Sequence, residues 1–528
     1  MPGRVLMVQG TASSVGKSLV AAALCRLFRR RGLSVAPFKS QNMSNNAAAV
    51  PGGEIGRAQA LQAAAAGIAP TVDMNPVLIK PEADARAQVV LLGRPYRRAS
   101  AGDYYRDHEA LWAAARAALD RLRSRYELVV AEGAGSPAEI NLADRDIANM
   151  AVARYANAPV LLVADIDPGG MFAQVLGTLA LLPSGDRARV AGVIVNKFRG
   201  DLSLLEPGLD QLRSLTGLPV LGVLPYLHDL GLAEEDGVAL ERGDPGATPD
   251  AGAAERNAAG RGGKIDIAVL RLPRISNFDD VDPLRLEAGV SLRFVAEPRE
   301  LGLPDALILP GSKATLDDLE WLRERGFDDG IRWLARSGRS VVGICGGYQM
   351  LGLSIDDSAG IEGPPRRAGG LGLLKVETSF SAGKSTSPRR GRIAGGPGFF
   401  ARAAGLPLEG YEIHAGLTAA VAAGIIAGAG VTAGGPTEAA IIRLDAEGEL
   451  PARADGAAAF DGRVWGSYLH GIFDLPDFRR AWLASLGARA EGAGVSMAEA
   501  RERALDRLAD AAGAALDMDE IEKIAGFR

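Results

Sequence analysis

Short apolar runs alternate with longer amphipathic stretches over the first 232 residues, and this rhythm is the strongest constraint on the fold of the chain. The apolar runs are Val5 to Val8, Val35 to Phe38, Leu128 to Ala131, Val160 to Ala164, Val190 to Val195 and Val220 to Leu224. Strand-length runs separated by helix-length segments are typical of a parallel sheet with helices on both faces. We therefore predict an α/β domain with a mostly parallel sheet over residues 1–232.

A second α/β domain is predicted over residues 264–480. Residues 233–263 are rich in Gly, Ala, Asp and Glu and have no apolar period, which is typical of a linker. Strand-like runs resume at Lys264 and continue to Leu469. Within this part, residues 381–398 and 418–435 are predicted as loop insertions, and residues 481–528 as a helical C-terminal tail.

Composition excludes several classes of protein. The chain has 528 residues with a 47% hydrophobic share, enough for two cores, and its net charge of −5 comes without a basic block, so no nucleic-acid partner is expected. Two cysteines exclude a disulfide framework, and the N-terminus has no signal-peptide pattern, so we expect a cytoplasmic protein. The uncharged stretch Leu417 to Pro436 is mostly Ala, Gly and Thr, which predicts no membrane partner. Nothing in the pattern indicates an oligomeric state.

A glycine-rich turn lies between the first apolar run and a helix-like stretch, Leu19 to Arg29. The predicted nucleotide-binding residues of this turn are Gly10, Thr11, Ser13, Val15, Gly16, Lys17 and Ser18. Backbone N–H groups at a helix N-terminus bind phosphate, Lys adds positive charge, and the Ser hydroxyl can bind Mg²⁺. The spacing is one residue longer than in the standard loop, and an ordinary solvated turn is the alternative.

Carboxylates follow two of the predicted strands, at the edge where open α/β sheets bind ligands. Glu132 follows the run Leu128 to Ala131, and we predict that it binds Mg²⁺ together with Ser18. Asp165 and Asp167 follow the next run, and for them a ligand role and a turn-forming role both stay open.

A polar run follows the second predicted strand. Its candidate substrate-binding residues are Lys39, Gln41, Asn42, Asn45 and Asn46. One ammonium group and four side-chain amides fit the recognition of several carboxylates or amides on a polar ligand. An Asn-rich turn without a ligand is the alternative.

Cys345 follows the apolar run Val341 to Ile344 and precedes two glycines and a helix-like segment. A strand that ends in such a turn presents its nucleophile at an exposed apex, where the next backbone N–H helps to stabilise an oxyanion. We therefore predict a catalytic thiol at Cys345. Gly346 is the first predicted oxyanion donor, and Gly311, at the end of another strand, is the second.

A catalytic thiol needs a base, and the chain has four histidines. His470 follows an alternating strand, and we predict that it is the base. His414 is the second candidate for the base, although packing in the interior or contact with substrate is its favoured role. His108 and His228 are predicted to lie on the surface. Cys25 falls within the helical pattern after the phosphate loop and is predicted to be a small buried residue.

Taken together, these segments resemble a known family. Gly343 to Gln349 with the distant His470 resembles the class I glutamine amidotransferases, and the phosphate loop with Lys39 to Asn46 resembles the dethiobiotin-synthetase-like ATPase half of the cobyric acid synthases. Further matching segments are Glu132 to Asn141, Asp165 to Gly170, Ile275 to Asp280 and Tyr411 to His414. The resemblance implies a P-loop NTPase-like domain followed by a flavodoxin-like glutamine amidotransferase domain.

The resemblance also implies a reaction. Cys345 attacks the side-chain amide of glutamine, and the released ammonia amidates corrin carboxylates that ATP and Mg²⁺ activate as acyl phosphates. The substrate of this family is adenosylcobyrinic acid a,c-diamide, whose b, d, e and g carboxylates become the amides of adenosylcobyric acid. A corrinoid is therefore the expected partner, with ATP and glutamine as co-substrates and Mg²⁺ as cofactor.

One position departs from the family pattern, and other functions stay open. Many class I amidotransferases have Glu two residues after the catalytic His, whereas this chain has Ile472, so we predict a Cys–His pair only. The nearest alternative is another glutamine-dependent amidase, such as cobyrinic acid a,c-diamide synthase or a cell-wall amidating enzyme. More distant ones are a regulatory ATPase with a non-catalytic second domain and a cysteine hydrolase without ATP coupling.

Overall fold

The computed structural model describes residues 2–83, 86–100, 105–228, 230–232, 264–421, 438–447, 451–488 and 494–527. Their contacts divide the chain into two units. The described residues up to 232 and from 500 onward form the first unit, and those from 264 to 499 form the second. The predicted linker, 233–263, lies outside the described residues.

The first unit is built on a six-stranded parallel sheet, as the alternating pattern predicts. Strands are numbered along the chain, and those of this sheet are β1 (Arg4–Gly10), β2 (Val35–Phe38), β9 (Leu128–Glu132), β10 (Val160–Asp165), β11 (Val190–Phe198) and β12 (Val220–Pro225). Their spatial order is β12-β11-β10-β1-β9-β2, and every pair is parallel. The strands are apolar on both faces because helices cover both.

The helices of the first unit connect and cover these strands. They are α1 (Lys17–Arg30), α2 (Arg57–Ala66), α3 (His108–Arg123), α4 (Met150–Ala156), α5 (Met171–Leu181), α6 (Ser184–Arg187) and α7 (Leu202–Thr216). Short 3-10 turns lie at Val72–Met74, Tyr105–Asp107 and Ile140–Arg145. Along β1, Leu6 and Val8 pack on the face that α1 covers, and Val5 and Met7 pack on the other.

A second, smaller sheet in the first unit was not anticipated from the sequence. It has the order β3-β6-β7-β8, with strands β3 (Gln41–Met43), β6 (Val77–Ala83), β7 (Arg86–Leu91) and β8 (Arg94–Ser100). The hairpin of β4 (Ala47–Val50) and β5 (Gly53–Gly56) lies between β3 and α2 in the chain. Since β3 is Gln41–Met43, the middle of the polar run Lys39 to Asn46 is a strand.

The C-terminal residues complete the core of the first unit. The last two helices are α14 (Met497–Ala515) and α15 (Met518–Ile524), and Leu505, Leu508 and Ile521 pack in the same hydrophobic cluster as α1. Buried Arg26 of α1 is ion-paired with Glu502 and Asp506, both at 2.8 Å. Residues 500–527 are therefore an integral layer of this unit.

The second unit contains an eleven-stranded mixed sheet. Its parallel half is β13 (Ile265–Leu270), β15 (Val290–Val295), β16 (Ala306–Leu309), β18 (Ser340–Ile344) and β25 (Val464–Ser467), in the order β15-β13-β16-β18-β25. The sheet continues through β24 (Arg453–Ala459), β23 (Glu438–Leu444), β21 (Val376–Ile393), β19 (Ser354–Asp357) and β20 (Arg366–Gly369), while β22 (Pro407–Ala420) pairs with β21. A separate two-stranded pair joins β14 (Ile275–Ser276) to β17 (Gly311–Ser312).

The helices of the second unit are α8 (Pro298–Leu301), α9 (Thr315–Glu324), α10 (Phe327–Arg336), α11 (Gly346–Leu351), α12 (Phe399–Ala403) and α13 (Pro476–Ser485), with a 3-10 helix at Phe278–Leu286. The predicted loop insertion 381–398 is wrong over most of its length, because residues up to Ile393 belong to strand β21. Of the insertion 418–435, residues 418–420 end β22, and 422–435 lie outside the described residues. In the described part of the chain, no helix combines the length and apolar character that a bilayer crossing requires.

Candidate active sites

The predicted phosphate loop forms a tight turn between β1 and α1. Gly16 has a φ of 95°, in the left-handed region, and a Cβ there would lie 2.1 Å from Nδ2 of Asn196. The same Asn196 amide donates to the carbonyl of Val15 at 2.8 Å. Only glycine fits this position, because both the backbone conformation and the space exclude a side chain.

Side chains around the turn fix its shape. Lys17 donates from Nζ to the carbonyls of Ala12, at 2.9 Å, and Gly135, at 3.0 Å. The Thr11 hydroxyl donates to Oε1 of Gln174 at 3.1 Å. Gly10 ends β1, and Ser13 lies on the outer part of the loop. The helix begins at Lys17, two residues earlier than predicted, so Lys17 and Ser18 form its first turn.

Glu132 is the centre of a buried polar cluster that brings together residues predicted separately. Its Oε1 accepts from the Ser18 hydroxyl at 2.7 Å and from Nζ of Lys39 at 2.9 Å. Its Oε2 accepts from Gln62 at 2.6 Å and from Gln59 at 3.4 Å. The predicted metal residues and the first predicted substrate residue therefore meet at one carboxylate.

This cluster fits a magnesium ion that also binds phosphate oxygens. In nucleotide sites, Mg²⁺ is coordinated by one or two protein oxygens, and phosphate and water oxygens complete its octahedral coordination. Ser18 and Glu132 supply a hydroxyl and a carboxylate side by side. Among the residues with described positions, no group of three or more His, Cys, Asp or Glu side chains could hold a metal alone.

Of the other residues of the predicted substrate run, Asn42 contacts this cluster. Asn42 donates from Nδ2 to Oε1 of Gln59 at 2.9 Å, and the backbone N–H of Asn46 donates to the Ser44 hydroxyl at 3.0 Å. Gln41 begins β3, and Oδ1 of Asn45 is buried without a hydrogen-bond partner. Gln59 and Gln62 of α2 were missed, although their spacing of three puts both on one helix face.

Asp165 and Asp167 each carry an ion pair. Asp165 lies 2.8 Å from Nζ of Lys197, and Asp167 lies 3.1 Å from Nε of Arg199. The backbone N–H of Asp167 also donates to the Asp165 carboxylate at 2.9 Å, as in a side-chain-capped turn.

In the second unit, Cys345 lies at a strained turn between β18 and α11. Its φ of 53° and ψ of −109° are rare for a residue with a side chain. A Cβ on Gly347 would lie 2.0 Å from the Leu309 carbonyl oxygen, and one on Gly343 would lie 2.6 Å from the Gly347 carbonyl oxygen. The thiol donates to the carbonyl of Ile413 at 3.7 Å. The flanking glycines are thus required for the tight packing of this elbow.

His470 faces a carboxylate that the sequence did not reveal. Its Nδ1 lies 2.7 Å from Oδ2 of Asp280, whose Oδ1 accepts from the backbone N–H of Gly471 at 2.9 Å. The ring stacks on Tyr411 with centroids 5.0 Å apart and planes 11° apart. Burial opposes protonation of the imidazole, but Asp280 and Cys345 outweigh it and raise the pKa of His470 to about 10.

Asp280 places a carboxylate beside His470 in a chain that has Ile at position 472. Ile472 is buried in the hydrophobic core of the unit, and the carboxylate comes instead from the 3-10 helix Phe278–Leu286. Asn277, directly before that helix, has a φ of 51°. The segment Ile275 to Asp280 carried part of the family resemblance, but no local pattern linked it to a residue 190 positions away.

The two predicted oxyanion donors lie in the corner between the thiol and the imidazole. A Cβ on Gly311 would lie 3.2 Å from Cε1 of His470, and a Cβ on Gly346 would lie 2.9 Å from the backbone N of Ser312. Both glycines therefore allow close approach of the backbone at this corner.

His414 is buried on β22 and stacks on Tyr468, with ring centroids 3.8 Å apart. Its Nδ1 lies 2.8 Å from the Gly416 carbonyl oxygen, and its Nε2 lies 3.6 Å from Glu412. Burial opposes ionisation of Glu412, yet His414 and Arg453 outweigh it and lower the pKa of Glu412 to about 2. The packing role of His414 is therefore observed, and its substrate role stays a prediction.

Cys25 is fully buried on α1, where burial raises the pKa of its thiol. It is the small interior residue that the sequence predicts. Both cysteines are free.

Comparison with known proteins covers both units. Residues 6–240 match the CobQ/CobB/MinD/ParA nucleotide binding domain, and residues 266–478 match the CobB/CobQ-like glutamine amidotransferase domain. A cobyric acid synthase of Sorangium cellulosum is 50% identical over 542 residues, covering 100% of this chain and 99% of that protein. Cobyric acid synthases of Desulforudis audaxviator (50% over 535 residues, 100% of both chains) and Chloroflexus aurantiacus (49% over 518 residues, 98% of this chain and 99% of that one) are similarly close.

Proposed function

Since the chain belongs to the cobyric acid synthase family, we propose that it uses ATP and glutamine to amidate the b, d, e and g carboxylates of adenosylcobyrinic acid a,c-diamide, giving adenosylcobyric acid. Full-length identity to cobyric acid synthases favours this reaction over the other glutamine-dependent amidases. A cytoplasmic location is part of the proposal, because ATP and glutamine are cytoplasmic metabolites and both cysteines are free.

In the second unit, the sulfur of Cys345 attacks the side-chain amide carbon of glutamine. The N–H groups of Gly346 and Gly311 stabilise the oxyanion, and the imidazolium of His470 donates its proton to the leaving ammonia. Water then hydrolyses the thioester to glutamate and restores the thiol. Asp280 acts on the ring as a positioning residue, since it holds the Nδ1 proton and favours the protonated form.

In the first unit, a substrate carboxylate oxygen attacks the γ-phosphorus of ATP and ADP leaves. Ammonia then attacks the acyl phosphate, and inorganic phosphate departs as the amide forms. The nucleotide phosphates lie on the loop Gly10 to Ser18, where Lys17 offsets the charge that moves with the phosphoryl group. Ser18 and Glu132 would hold Mg²⁺, which when bound neutralises the charge on the phosphates.

The substrate lies against the polar run next to Glu132. Lys39, Gln41, Asn42, Asn45 and Asn46 present an ammonium and four amides for side-chain carboxylates and amides. His414 is proposed to contact glutamine, because it lies on β22 next to Ile413, whose carbonyl accepts from the catalytic thiol.

The observation that carries the proposal is the constellation of Cys345, His470 and Asp280 in a chain that also has an intact phosphate loop. The test is to incubate the protein with ATP, Mg²⁺, glutamine and candidate corrinoid acids and to count the amides by mass. We expect four amidations of the a,c-diamide. No amidation of any corrinoid acid would refute the proposal.

Two variants separate the half-reactions. Cys345→Ser should abolish glutamate release and glutamine-dependent amidation, but keep amidation with ammonium salts. Lys17→Ala should abolish amidation from either nitrogen source, but keep glutamate release. Glutamate release that survives in Cys345→Ser would exclude the thiol mechanism, and full amidation in Lys17→Ala would exclude the coupling to ATP.

A further inference from the structure

The small sheet of the first unit is unusually basic. Its four strands contain five basic residues, Lys80, Arg86, Arg94, Arg97 and Arg98, and one acidic residue, Glu82. The whole chain, in contrast, has a net charge of −5. An excess of positive charge on one sheet of an acidic protein indicates a surface for an anionic ligand.

Strand register places Lys80, Arg86 and Arg98 on one face of the sheet together with Glu82. Lys80, Gln88 and Arg98 are direct neighbours across β6, β7 and β8. The next row, Pro81, Ala87 and Ala99, points to the opposite face, because side chains alternate along a strand. That opposite face packs in an apolar cluster with Leu111 and Ile147. We call the first face, formed by Asn42, Lys80, Glu82, Arg86, Gln88 and Arg98, the polar face.

Ion pairs hold the cations of the polar face in position. Lys80 is paired with Glu54 at 2.9 Å, and both side chains are buried. Glu82 lies 2.8 Å from Arg98 and 3.7 Å from Arg86, so one buried carboxylate orients two guanidinium groups. The side chains of Arg98 and Arg86 remain 30% and 40% exposed, which leaves them within reach of a ligand. Pre-oriented guanidinium groups bind carboxylates well.

The polar face is continuous with the phosphate loop. Asn42 belongs to it through its pairing with Leu78. From Asn42, hydrogen bonds run through Gln59 to Glu132, which accepts from Ser18 of the loop. These linking side chains are buried, so a ligand with one carboxylate at the nucleotide site would contact the sheet at its more exposed guanidinium groups, Arg86 and Arg98. The four strands span about 14 Å at their usual spacing.

We propose that the polar face binds the carboxylates of the substrate that are not reacting, with Arg86 and Arg98 as the main contacts. This inference rests on the proposed function, since it takes a polycarboxylate as the substrate. Each amidation replaces a carboxylate by a neutral amide. The negative charge of the substrate falls by one unit, and its attraction to the polar face weakens. The fully acidic substrate is bound most strongly, and the finished product is released because little charge remains.

The test compares Arg86→Gln, Arg98→Gln and the double variant with the wild type. We expect the KM for the a,c-diamide to rise about ten-fold for each arginine, because a charge-assisted hydrogen bond is lost. The kcat for the first amidation and the rate of glutamate release should stay within two-fold. The increase in KM should shrink with each amide already present on the substrate, and added salt should raise the wild-type KM more than that of the double variant.

Two further variants control for charge and for folding. Arg213→Gln removes a guanidinium on α7 that is 45% exposed and pairs with Asp210, three residues away, and it should leave the KM unchanged. Arg98→Lys keeps the charge and should recover most of the wild-type KM. An unchanged KM in the double variant, or an increase equal for all amidation states, would overturn the inference. If the wild type amidates no corrinoid acid, the proposed function fails, and that outcome is distinct from these.

Discussion

Replacing Asp280 with Asn tests the carboxylate that faces His470. The Asn side chain has nearly the same shape, and its oxygen can still accept from the backbone N–H of Gly471, as Oδ1 of Asp280 does. The variant loses the negative charge, and it loses the oxygen Oδ2 that accepts from Nδ1 of the imidazole. The variant therefore separates the electrostatic role of Asp280 from its packing.

The structure sets the size of the effect. Asp280 and Cys345 raise the pKa of His470 from its ordinary value of 6.5 to about 10, against the opposing effect of burial. Asp280 contributes more to this rise than Cys345, so loss of Asp280 lowers the pKa of His470 by at least half of the rise, about 2. One pKa unit corresponds to about 1.4 kcal/mol, so the imidazolium loses about 3 kcal/mol of stabilisation. We expect kcat/KM for glutamine hydrolysis to fall about ten-fold for each pH unit above the lowered pKa of His470.

The pH dependence has a definite sign. A raised pKa means that His470 keeps its proton below about pH 10 and loses it above, so the wild type has its proton donor throughout the neutral range. In Asp280→Asn the proton is lost at about pH 8, and the alkaline limb of the activity profile moves down by about 2 pH units. Glutamate release, measured from about pH 6 to about pH 10, follows this limb directly.

Asp282→Asn is the matched control, because Asp282 lies in the same 3-10 helix and pairs with Arg285 at 3.6 Å. It should keep the wild-type profile and rate. If the alkaline limb of Asp280→Asn does not move, or if Asp282→Asn loses as much activity, the reasoning about the carboxylate is wrong. Thermal melting of both variants shows whether the fold is retained.

Three further predictions concern stability. Glu132→Gln removes the carboxylate that pairs with the buried ammonium of Lys39, and it should lower the free energy of unfolding by about 3 kcal/mol. Urea denaturation of the first unit measures this change, and an unchanged midpoint would contradict the prediction. Gly347→Ala places a methyl group 2.0 Å from the Leu309 carbonyl oxygen and should sharply lower the melting temperature, whereas Gly177→Ala, with open space in α5, should not. Removal of residues 500–528 takes one layer from the hydrophobic core of the first unit. ATP should then no longer stabilise that unit in a thermal shift assay, and a retained shift would show that the layer is dispensable.

The parallel part of the fold is predictable because local patterns determine it. Each of the six apolar runs of the first unit became a strand, and Val160 to Ala164 differs from its strand by one residue. The segment 381–393 was mistaken for a loop because it has few apolar residues. Its strand structure depends on pairing with β22, which no local pattern in 381–393 reveals.

The candidate site was predictable where one turn determines the geometry. The elbow at Cys345 and the loop at Lys17 carry their own signals, since the glycines that each turn requires are adjacent in sequence. Asp280 carries no such signal, because its partner His470 is distant and its own helix is a single irregular segment. The C-terminal helices show the same limit: their amphipathic pattern predicts an apolar face, but not that α1 covers it.

The last helices of the chain belong to its first unit, and this affects the order of events during synthesis. As the polypeptide leaves the ribosome, the part that carries the thiol is complete before residue 500 emerges. The core of the first unit gains the layer of residues 500–527 only after those residues have emerged. Nascent molecules therefore complete the unit that carries Cys345 before the unit that carries the phosphate loop.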